Sequence, residues 1–350
     1  MKIAAIYLFL LLILTACISN TYNPVFKDFK HSRTITSTTL INESNLLIYP
    51  QQILVKDSLL FIVDSGFDHF VLVYNYEKKK PVNRVLSIGR GDGEFTSVLL
   101  FNDFNQSSVR LFDAQMQTLF EYSWPGLING KHTNKETIYC NASYPFRTLK
   151  LNDSLVFYTG MDLSGNCQYF MYSLNSKQEE CINEFPDFES IRYLSSSEKG
   201  MALQAGLIAS PNKQHIVAYY SSCGLLDFFK VSGSIVEKVN TKLYFEGDFT
   251  SASEENMHST ARSRESEMGF IGAYSTNDYV YVLYPDKTLE DVMNTTKGGR
   301  YILCYDWTGE PIMIYELDKP VESFCIRGNT MFGISTNTET YLSEIVLFEL

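Results

Sequence analysis

The stretch from Tyr279 to Leu317 constrains the fold most, because short apolar runs alternate in it with turn signals. Tyr279–Tyr284 is a run of Tyr, Val and Leu, which is the composition of a strand buried on both faces. Two further apolar runs follow, separated by an Asp-Trp-Thr-Gly turn signal at 306–309. With 269–275 in front, the stretch predicts a four-stranded antiparallel meander, which is one blade of a β-propeller.

The same combination of apolar runs and turn pairs recurs along the chain and predicts six blades. With 350 residues, 23 Tyr and 24 Phe, the chain fits a single all-β domain. No long stretch has a 3.6-residue apolar period, so few helices are expected. The predicted strands, blade by blade, are 51–56, 59–64, 69–75 and 82–87; 99–104, 109–113, 118–124 and 136–142; 146–151, 154–160, 168–174 and 179–184; 203–209, 215–221, 225–231 and 235–241; 269–275, 279–284, 301–305 and 312–317; and 321–326, 330–334 and 343–350.

Blade six lacks a fourth strand, and this shortage predicts how the ring closes. The unassigned strand candidate is RTITSTTLIN at 33–42, at the other end of the chain. Placed as the outer strand of blade six, it would leave no open edge around the ring. The chain is therefore predicted to be an all-β, six-bladed β-propeller, with seven blades still open if 184–200 or 246–268 contains strands.

The N-terminus carries the most specific signal in the chain. Lys2 precedes an uncharged apolar run at 3–14, which is too short to span a bilayer but fits the apolar region of a signal peptide. Leu14-Thr15-Ala16-Cys17 resembles the bacterial lipobox, in which cleavage before the cysteine frees it for lipid attachment. The resemblance implies a signal peptide at 1–16, a lipidated Cys17, a tether at 17–32 and one propeller domain at 33–350; an ordinary secretory signal is the alternative.

The residues after Cys17 bear on where an anchored protein would reside. Ile18 stands where an Asp typically retains enterobacterial lipoproteins in the inner membrane. Ile18-Ser19-Asn20-Thr21 also lacks the acidic run that resembles a surface-export signal in Bacteroidetes. We therefore expect the outer membrane, with the protein facing the periplasm, and keep the cell surface as an alternative.

The net charge of −11, from 29 basic and 40 acidic residues, argues against one class of partner. A nucleic acid duplex or an anionic bilayer surface would be repelled by such a chain, so no nucleic acid partner is expected. The single basic run, Lys78-Lys79-Lys80, lies between two strand-like segments and predicts a solvated hairpin tip.

Residues 87–95, with the sequence SIGRGDGEF, resemble the I-G-R-G-P-G-E-F signature of six-bladed β-propeller lipoproteins of Bacteroidetes, of the TolB-like and NHL-like kind. The segments 278–317 and 344–350 are similar to the C-terminal half of that family. Asp92 replaces the proline of the signature, which makes this turn more mobile. The resemblance implies a fold and an envelope location but no reaction, because the family is largely uncharacterised.

The candidate binding residues, Arg90, Asp92 and Glu94, lie in that glycine-rich segment. If a short loop contributes to a ligand-binding face, we expect it to be this one. The segment lacks the G-x-x-x-x-G-K-[ST] spacing and the following helix of a phosphate-binding loop. The alternative is an inter-blade turn in which the glycines supply unusual φ angles and Arg90 and Glu94 pair or cap locally.

No metal site, cofactor or catalytic set is signalled by the sequence. The five His residues are isolated, and none has the spacing of metal ligands. No G-x-S-x-G motif or local Ser/His/Asp set is present, and with 40 carboxylates some pair will lie close by chance. We therefore expect no cofactor and no metal, and assign no catalytic residue, while a composite site built from several blades stays open.

Two further features have a structural and a functional interpretation. The polar stretch 246–268 predicts either an inter-blade spacer or a lid or partner contact. Cys167 and Cys181 flank a hairpin centred near Leu174 and are the pair predicted to form a disulfide in an oxidising compartment. Cys304 lies in an apolar strand and is expected to be a buried thiol.

Three hypotheses for function follow. The first is a membrane-anchored, monomeric binding or scaffold module whose propeller holds a protein or glycan partner in the envelope, which predicts aromatic and polar side chains on one face. The second is a lyase or hydrolase with a composite active site in the central channel, which requires coupled ionisable groups there. The third is a structural envelope component, which predicts no pocket and no exposed apolar patch.

Overall fold

A computed structural model describes residues 23–91, 93–96, 103–140, 143–163, 165–252, 259–295, 298–337 and 339–350. Cys17, the predicted signal peptide and Asp92 lie outside these residues. The strands form six four-stranded antiparallel sheets arranged as the blades of a β-propeller, which confirms the predicted fold.

The strand bounds agree with the predicted ones to within a few residues in most blades. Two strands precede the first blade, β1 (Ser32–Ile35) and β2 (Ser37–Ile41). The others are, in blade 1, β3 (Pro50–Lys56), β4 (Leu59–Asp64), β5 (His69–Asn75) and β6 (Lys80–Ser87); in blade 2, β7 (Asp103–Phe104), β8 (Ser108–Asp113), β9 (Thr118–Ser123) and β10 (Asn134–Thr137); in blade 3, β11 (Ser143–Lys150), β12 (Leu155–Asp162), β13 (Cys167–Ser173) and β14 (Glu179–Glu184); in blade 4, β15 (Ala205–Ala209), β16 (His215–Tyr220), β17 (Leu225–Ser232) and β18 (Ile235–Leu243); between blades, β19 (Thr250–Ser251) and β20 (Thr260–Ala261); in blade 5, β21 (Gly272–Ser275), β22 (Tyr279–Tyr284), β23 (Gly299–Asp306) and β24 (Pro311–Val321); and in blade 6, β25 (Ser323–Arg327), β26 (Thr330–Thr336) and β27 (Ser343–Glu349).

Helices are few and short in the described part of the chain. They are α1 (Trp124–Ile128), α2 (Ser196–Ala202), α3 (Leu289–Asn294) and one 3₁₀ turn, Glu189–Ile191. Among the described residues, no helix is long and apolar enough to cross a membrane.

Burial follows the position of a strand within its blade. The second strand β4 is buried at five of its six positions, because each blade is packed between two neighbours. The outermost strand β18 is mostly exposed or half-buried. The first strands of the blades contact one another around the ring and surround its central channel.

The N-terminal segment closes the ring, with one correction to the prediction. The single strand expected at 33–42 is divided at Thr36 into β1 and β2. Strand β2 pairs antiparallel with β27 and completes blade 6 as predicted, whereas β1 pairs parallel with β24 on the outer edge of blade 5. The Asp318 carboxylate accepts the Ser37 N–H at 3.0 and 3.1 Å, and it thereby fixes the point where the chain passes between the two blades.

Residues 23–31, which the sequence assigns to the tether, pack between blades 4 and 5. Val25 is fully buried there. Phe26 lies against the ring of Tyr301, with 4.6 Å between ring centroids, and Phe29 lies 5.1 Å from the ring of Tyr305. Part of the predicted linker is therefore held on the propeller by buried aromatic side chains.

The two segments that left a seventh blade open do not provide one in the described residues. The segment 184–200 contains the 3₁₀ turn and most of α2. The described parts of 246–268 contain only β19 and β20, which pair with each other.

Candidate functional site

The connections between antiparallel strands lie on two opposite faces of the propeller. What we call the turn face carries the connections between first and second and between third and fourth strands, at 57–58, 76–79, 105–107, 124–133, 151–154, 174–178, 210–214, 233–234, 276–278, 307–310 and 328–329. The loop face carries those between second and third strands and between successive blades, with described residues at 42–49, 65–68, 88–91, 93–96, 114–117, 138–140, 163, 165–166, 185–204, 221–224, 244–252, 259–271, 285–295, 298, 322, 337 and 339–342.

The two faces differ in charge. Counted over described residues, the loop-face connections carry 15 acidic and 6 basic residues, whereas the turn-face connections carry 5 of each. The acidic excess of the chain is therefore concentrated on the loop face.

The exposed apolar side chains follow the same division. Within the described ranges, each large exposed hydrophobic residue lies either in a loop-face connection or on a strand. None lies in a turn-face connection. Tyr193 is 90% and Tyr341 is 82% exposed. The loop-face connections hold Ile48, Tyr49, Ile88, Tyr139, Leu163, Tyr193, Met293, Tyr341 and Leu342.

Buried carboxylates at the ends of second strands hold the loop-face backbone in place. Asp64, at the end of β4, is fully buried and accepts the N–H groups of Ile48, Tyr49 and Gly66 at 2.8 to 3.0 Å. Asp113, at the end of β8, does the same for Thr96 at 2.8 Å. An Asp also ends the second strand of blade 3, but the sequence analysis did not identify these residues, because a single Asp after an apolar run resembles any turn.

The predicted binding loop is a compact turn between blades 1 and 2. Gly91 donates its N–H to the Glu94 carboxylate at 2.7 Å, and Phe95 is fully buried 4.6 Å from the ring of Phe120. A Cβ added to Gly89 would lie only 1.9 Å from that carboxylate, so a larger residue there would displace the Glu94 side chain. Glu94 thus caps the turn, as the alternative interpretation holds, but Arg90 is exposed and does not pair with it.

The described parts of the polar stretch 246–268 are docked on the loop face. Met268 and Leu289 form backbone hydrogen bonds that join the stretch to the connection holding α3, with Met268 N–H to Lys287 O at 2.9 Å. At the other end, Ser251 donates its hydroxyl to Glu198, the capping residue of α2. The stretch therefore connects two neighbouring loop-face connections, and its role as a partner contact stays a prediction.

The turn face contains a buried ion network from three blades that the sequence did not reveal. Asp103 of blade 2 is 1% exposed and contacts Arg110 at 3.3 Å and the ammonium group of Lys213 from blade 4. Glu121 joins Arg110 at 2.7 Å and Lys150 of blade 3 at 3.5 Å. Three cations thus meet two carboxylates, which leaves one positive charge in excess. No local motif marks these residues, because ring closure brings them together.

Several described ionisable groups meet at one mouth of the channel, where Lys56 lies 4.0 Å from the Asp57 carboxylate. At the turn-face mouth of the channel, a cavity of about 350 Å³ is lined by residues that include Lys56, Asp57, Tyr274 and Arg327. Arg327 donates to the Asp57 carbonyl and the Tyr76 hydroxyl. Within the described ranges, no group of three His, Cys, Asp or Glu side chains lies close enough to hold a metal ion.

A buried tyrosine pair sits between blades 3 and 4, closed to solvent. Tyr169 donates its hydroxyl to Asp227 at 2.6 Å and contacts the Tyr220 hydroxyl, and both tyrosines are fully buried. Burial, reinforced by the Asp227 charge, holds the pKa of both hydroxyls well above the ordinary value. This pair is a core hydrogen-bond network and not an accessible base.

The structure joins Cys167 and Cys181 in a disulfide between β13 and β14, the pair that the sequence singles out. The two strands pair with irregular register there, so Cys181 lies opposite Phe170. Cys304 is buried, and burial raises its pKa to about 12. The pKa of the Cys140 thiol is raised to about 11, again chiefly by burial, so neither thiol is an activated nucleophile.

Comparisons with known proteins agree with this architecture. The TolB-like 6-blade propeller-like family matches residues 26–329. The chain belongs to this family. Similar solved structures include a member of the DUF4221 family from Bacteroides vulgatus, at 10% identity and a TM-score of 0.52, over 91% of this chain and 96% of that one. A protein of Bacteroides fragilis named for its expected export matches at 12% identity and a TM-score of 0.52, over 91% and 99%. No curated protein matches the chain.

Proposed function

We propose that the protein is a lipid-anchored envelope protein whose loop face binds a basic surface of a partner protein. The observation that carries this proposal is the coincidence of the acidic excess and the exposed large apolar side chains on the loop face. A purely structural envelope component would not need to expose such side chains. An enzyme would need coupled ionisable groups in the channel; at its turn-face mouth, the described Lys56 lies 4.0 Å from Asp57, and Arg327 donates to the Asp57 carbonyl and the Tyr76 hydroxyl.

The chemistry of the loop face favours a protein over a glycan or a lipid surface. Exposed tyrosines offer an apolar ring together with a hydroxyl, the combination enriched in protein interfaces. A net negative face attracts a basic partner and repels anionic envelope polymers. Tyr341 has a φ of +58°, which is strained for a bulky residue, and its side chain is nevertheless exposed at the tip of a turn.

The path of the N-terminal segment supports an orientation for the anchored protein. Asn23 donates its side-chain amide to the Tyr284 hydroxyl at 2.9 Å and to the Asp286 carboxylate at 2.5 Å, at the loop-face end of blade 5. Asn23 lies six positions after Cys17, and six residues of chain span at most about 20 Å. A lipidated Cys17 would thus keep the loop face within reach of the membrane surface. We therefore expect a partner that resides in or on the same membrane, with export supported by the name of the similar protein from B. fragilis.

Site-specific photo-cross-linking of the full-length protein in its native cells tests this proposal. A cross-linker at Tyr193 probes the loop face, and one at Ile235, which is 66% exposed near the turn face, is the matched control. We expect one defined protein adduct from the Tyr193 position and none from the Ile235 position. Because the interface is acidic, a wash with about 0.5 M salt before illumination should reduce the adduct.

Further variants distinguish the outcomes. With the cross-linker at position 193, the substitution Tyr341→Ser should weaken capture of the same adduct, whereas Ile235→Ser should not. A partner that is not basic, equal adducts from both positions, or no adduct from either would overturn the proposal. An adduct that is removed by glycan digestion and contains no protein would instead establish the glycan alternative.

A further inference from the structure

A second, different surface feature lies on the turn face, between blades 3 and 4. There a cavity of about 480 Å³ is formed by the turns at 151–154, 210–214 and 233–234 with the strand ends beside them. Its lining residues are Leu151, Asn152, Asn212, Lys213, Gln214, His215, Lys230, Val231, Ser232 and Gly233. They include two lysines and no carboxylate, in a chain whose net charge is −11. The cavity is therefore positive against the overall charge of the protein.

The hydrogen bonds already present leave mainly donors facing the cavity. The Asn152 carbonyl oxygen accepts the Ser154 N–H at 2.9 Å, and the Asn212 oxygen accepts the Gln214 N–H at 3.1 Å. The Gln214 carbonyl oxygen is occupied by the Asn212 amide at 3.2 Å. The amide groups of Asn152 and Gln214 thus retain N–H donors while their acceptors are used locally.

The two lysines of the cavity differ in their pairing: Lys213 contacts the buried Asp103 carboxylate, whereas Lys230 lies opposite Glu237 on the neighbouring strand. Lys230 is exposed and lies among the lining residues, and its charge helps to lower the pKa of His215, after the larger effect of burial. Lys213 belongs to the ion network of Asp103, where three cations face two carboxylates. Asp153 is exposed on the same turn as Asn152 and does not line the cavity.

His215 closes one wall of the cavity. Its ring stacks on Trp307 with 5.5 Å between centroids and an interplanar angle of 18°. Its Nδ1 atom is buried without a hydrogen-bond partner. The stacked ring therefore forms a fixed wall of the cavity.

We propose that this cavity binds a small oxyanion group, a carboxylate or phosphate, such as one carried by an envelope metabolite or an anionic sugar. The Lys230 ammonium group and two amide N–H donors suit the oxygens of such a group, because charge-assisted hydrogen bonds are the strong ones, and the ion network beside them carries one excess positive charge. The site lies on the face opposite the loop face, so it is independent of the partner surface proposed above.

The proposal is tested by measuring the binding of inorganic phosphate and of galacturonate to the purified mature protein. Calorimetry and NMR shifts report this binding. Lys230→Gln removes the exposed ammonium and should weaken binding of either probe roughly tenfold, the cost of one charge-assisted hydrogen bond. Gln214→Ala should also weaken it. Lys78→Gln, on the same face at the tip of blade 1, is the matched control and should leave binding unchanged.

The outcomes distinguish binding in this cavity from a general electrostatic attraction of anions to the protein surface. Binding of phosphate alone indicates a phosphate source, and binding of galacturonate alone indicates a carboxylate source; both support the site when Lys230→Gln weakens them and Lys78→Gln does not. Failure of both probes to bind, or equal weakening in the two lysine variants, would overturn the proposal. Circular dichroism confirms that each variant is folded, which the exposure of both lysines makes the expected result.

Discussion

The two faces of this propeller use carboxylates in opposite ways. On the turn face, the buried carboxylates of Asp103 and Glu121 are paired with cations from three blades. On the loop face, buried carboxylates such as Asp64 accept backbone N–H groups, and acidic residues outnumber basic ones among the described connections. Charge pairing thus holds the ring together near the turn face, while the loop face is left negative and available for contact.

The largest effect is expected where the ion network is broken. Asp103→Ala leaves Arg110 and Lys213 without their shared buried carboxylate and should lower the free energy of unfolding by about 3–5 kcal/mol. Urea denaturation measures this value. Glu339→Ala on the loop face is the control and should change it by less than about 0.5 kcal/mol. Similar losses in both variants would remove the proposed difference between the faces.

The disulfide of blade 3 supports the fold independently of either set of charges. Cys167→Ser combined with Cys181→Ser should lower the free energy of unfolding by about 3 kcal/mol, because the crosslink closes a loop with a sequence separation of 14. Peptide mapping of the protein from its native compartment checks the link itself. If both thiols are alkylated without reductant, the cysteines are not paired there and no such loss should be seen.

On the loop face, loss of a carboxylate that binds backbone should have a smaller and local effect. Asp64→Ala leaves the N–H groups of Ile48, Tyr49 and Gly66 without their acceptor and should destabilise the protein by about 2 kcal/mol. Hydrogen exchange should accelerate at these three amides. The exposed neighbour Asp68 gives the control, since Asp68→Ala removes none of these bonds; uniform acceleration across blade 1 would contradict a local role.

The smallest effect concerns pH and the turn face. Burial, with a contribution from Lys230, lowers the pKa of His215 below 6.5, so the folded state favours the neutral ring. The unfolded state then binds more protons than the folded state as the pH falls below about 6.5. The stability that neutral His215 contributes is fully present above that pH and is lost below it. His215→Gln should therefore flatten the dependence of the unfolding free energy between about pH 7 and pH 5. His31→Gln, at an exposed position, should leave the wild-type slope.

The sequence alone determined the class and order of the blades. Runs such as Tyr279–Tyr284, followed by turn signals, predict buried strands wherever they occur, because strand formation depends on local composition and period. The missing fourth strand of blade 6 predicted ring closure by the N-terminal segment, which β2 confirms. The flanking of one hairpin by Cys167 and Cys181 pointed to the pair that the structure joins.

The tertiary structure decided what depends on residues far apart in the chain. Strand β1 pairs with blade 5 because Asp318, some 280 residues later, holds the turn at Ser37, and no local pattern records that contact. Asp103, Lys150 and Lys213 become one network only when three blades meet, and the acidic loop face exists only once alternate connections are gathered on one side. Composition and period specify a strand, whereas a binding surface depends on which strands become neighbours when the ring closes.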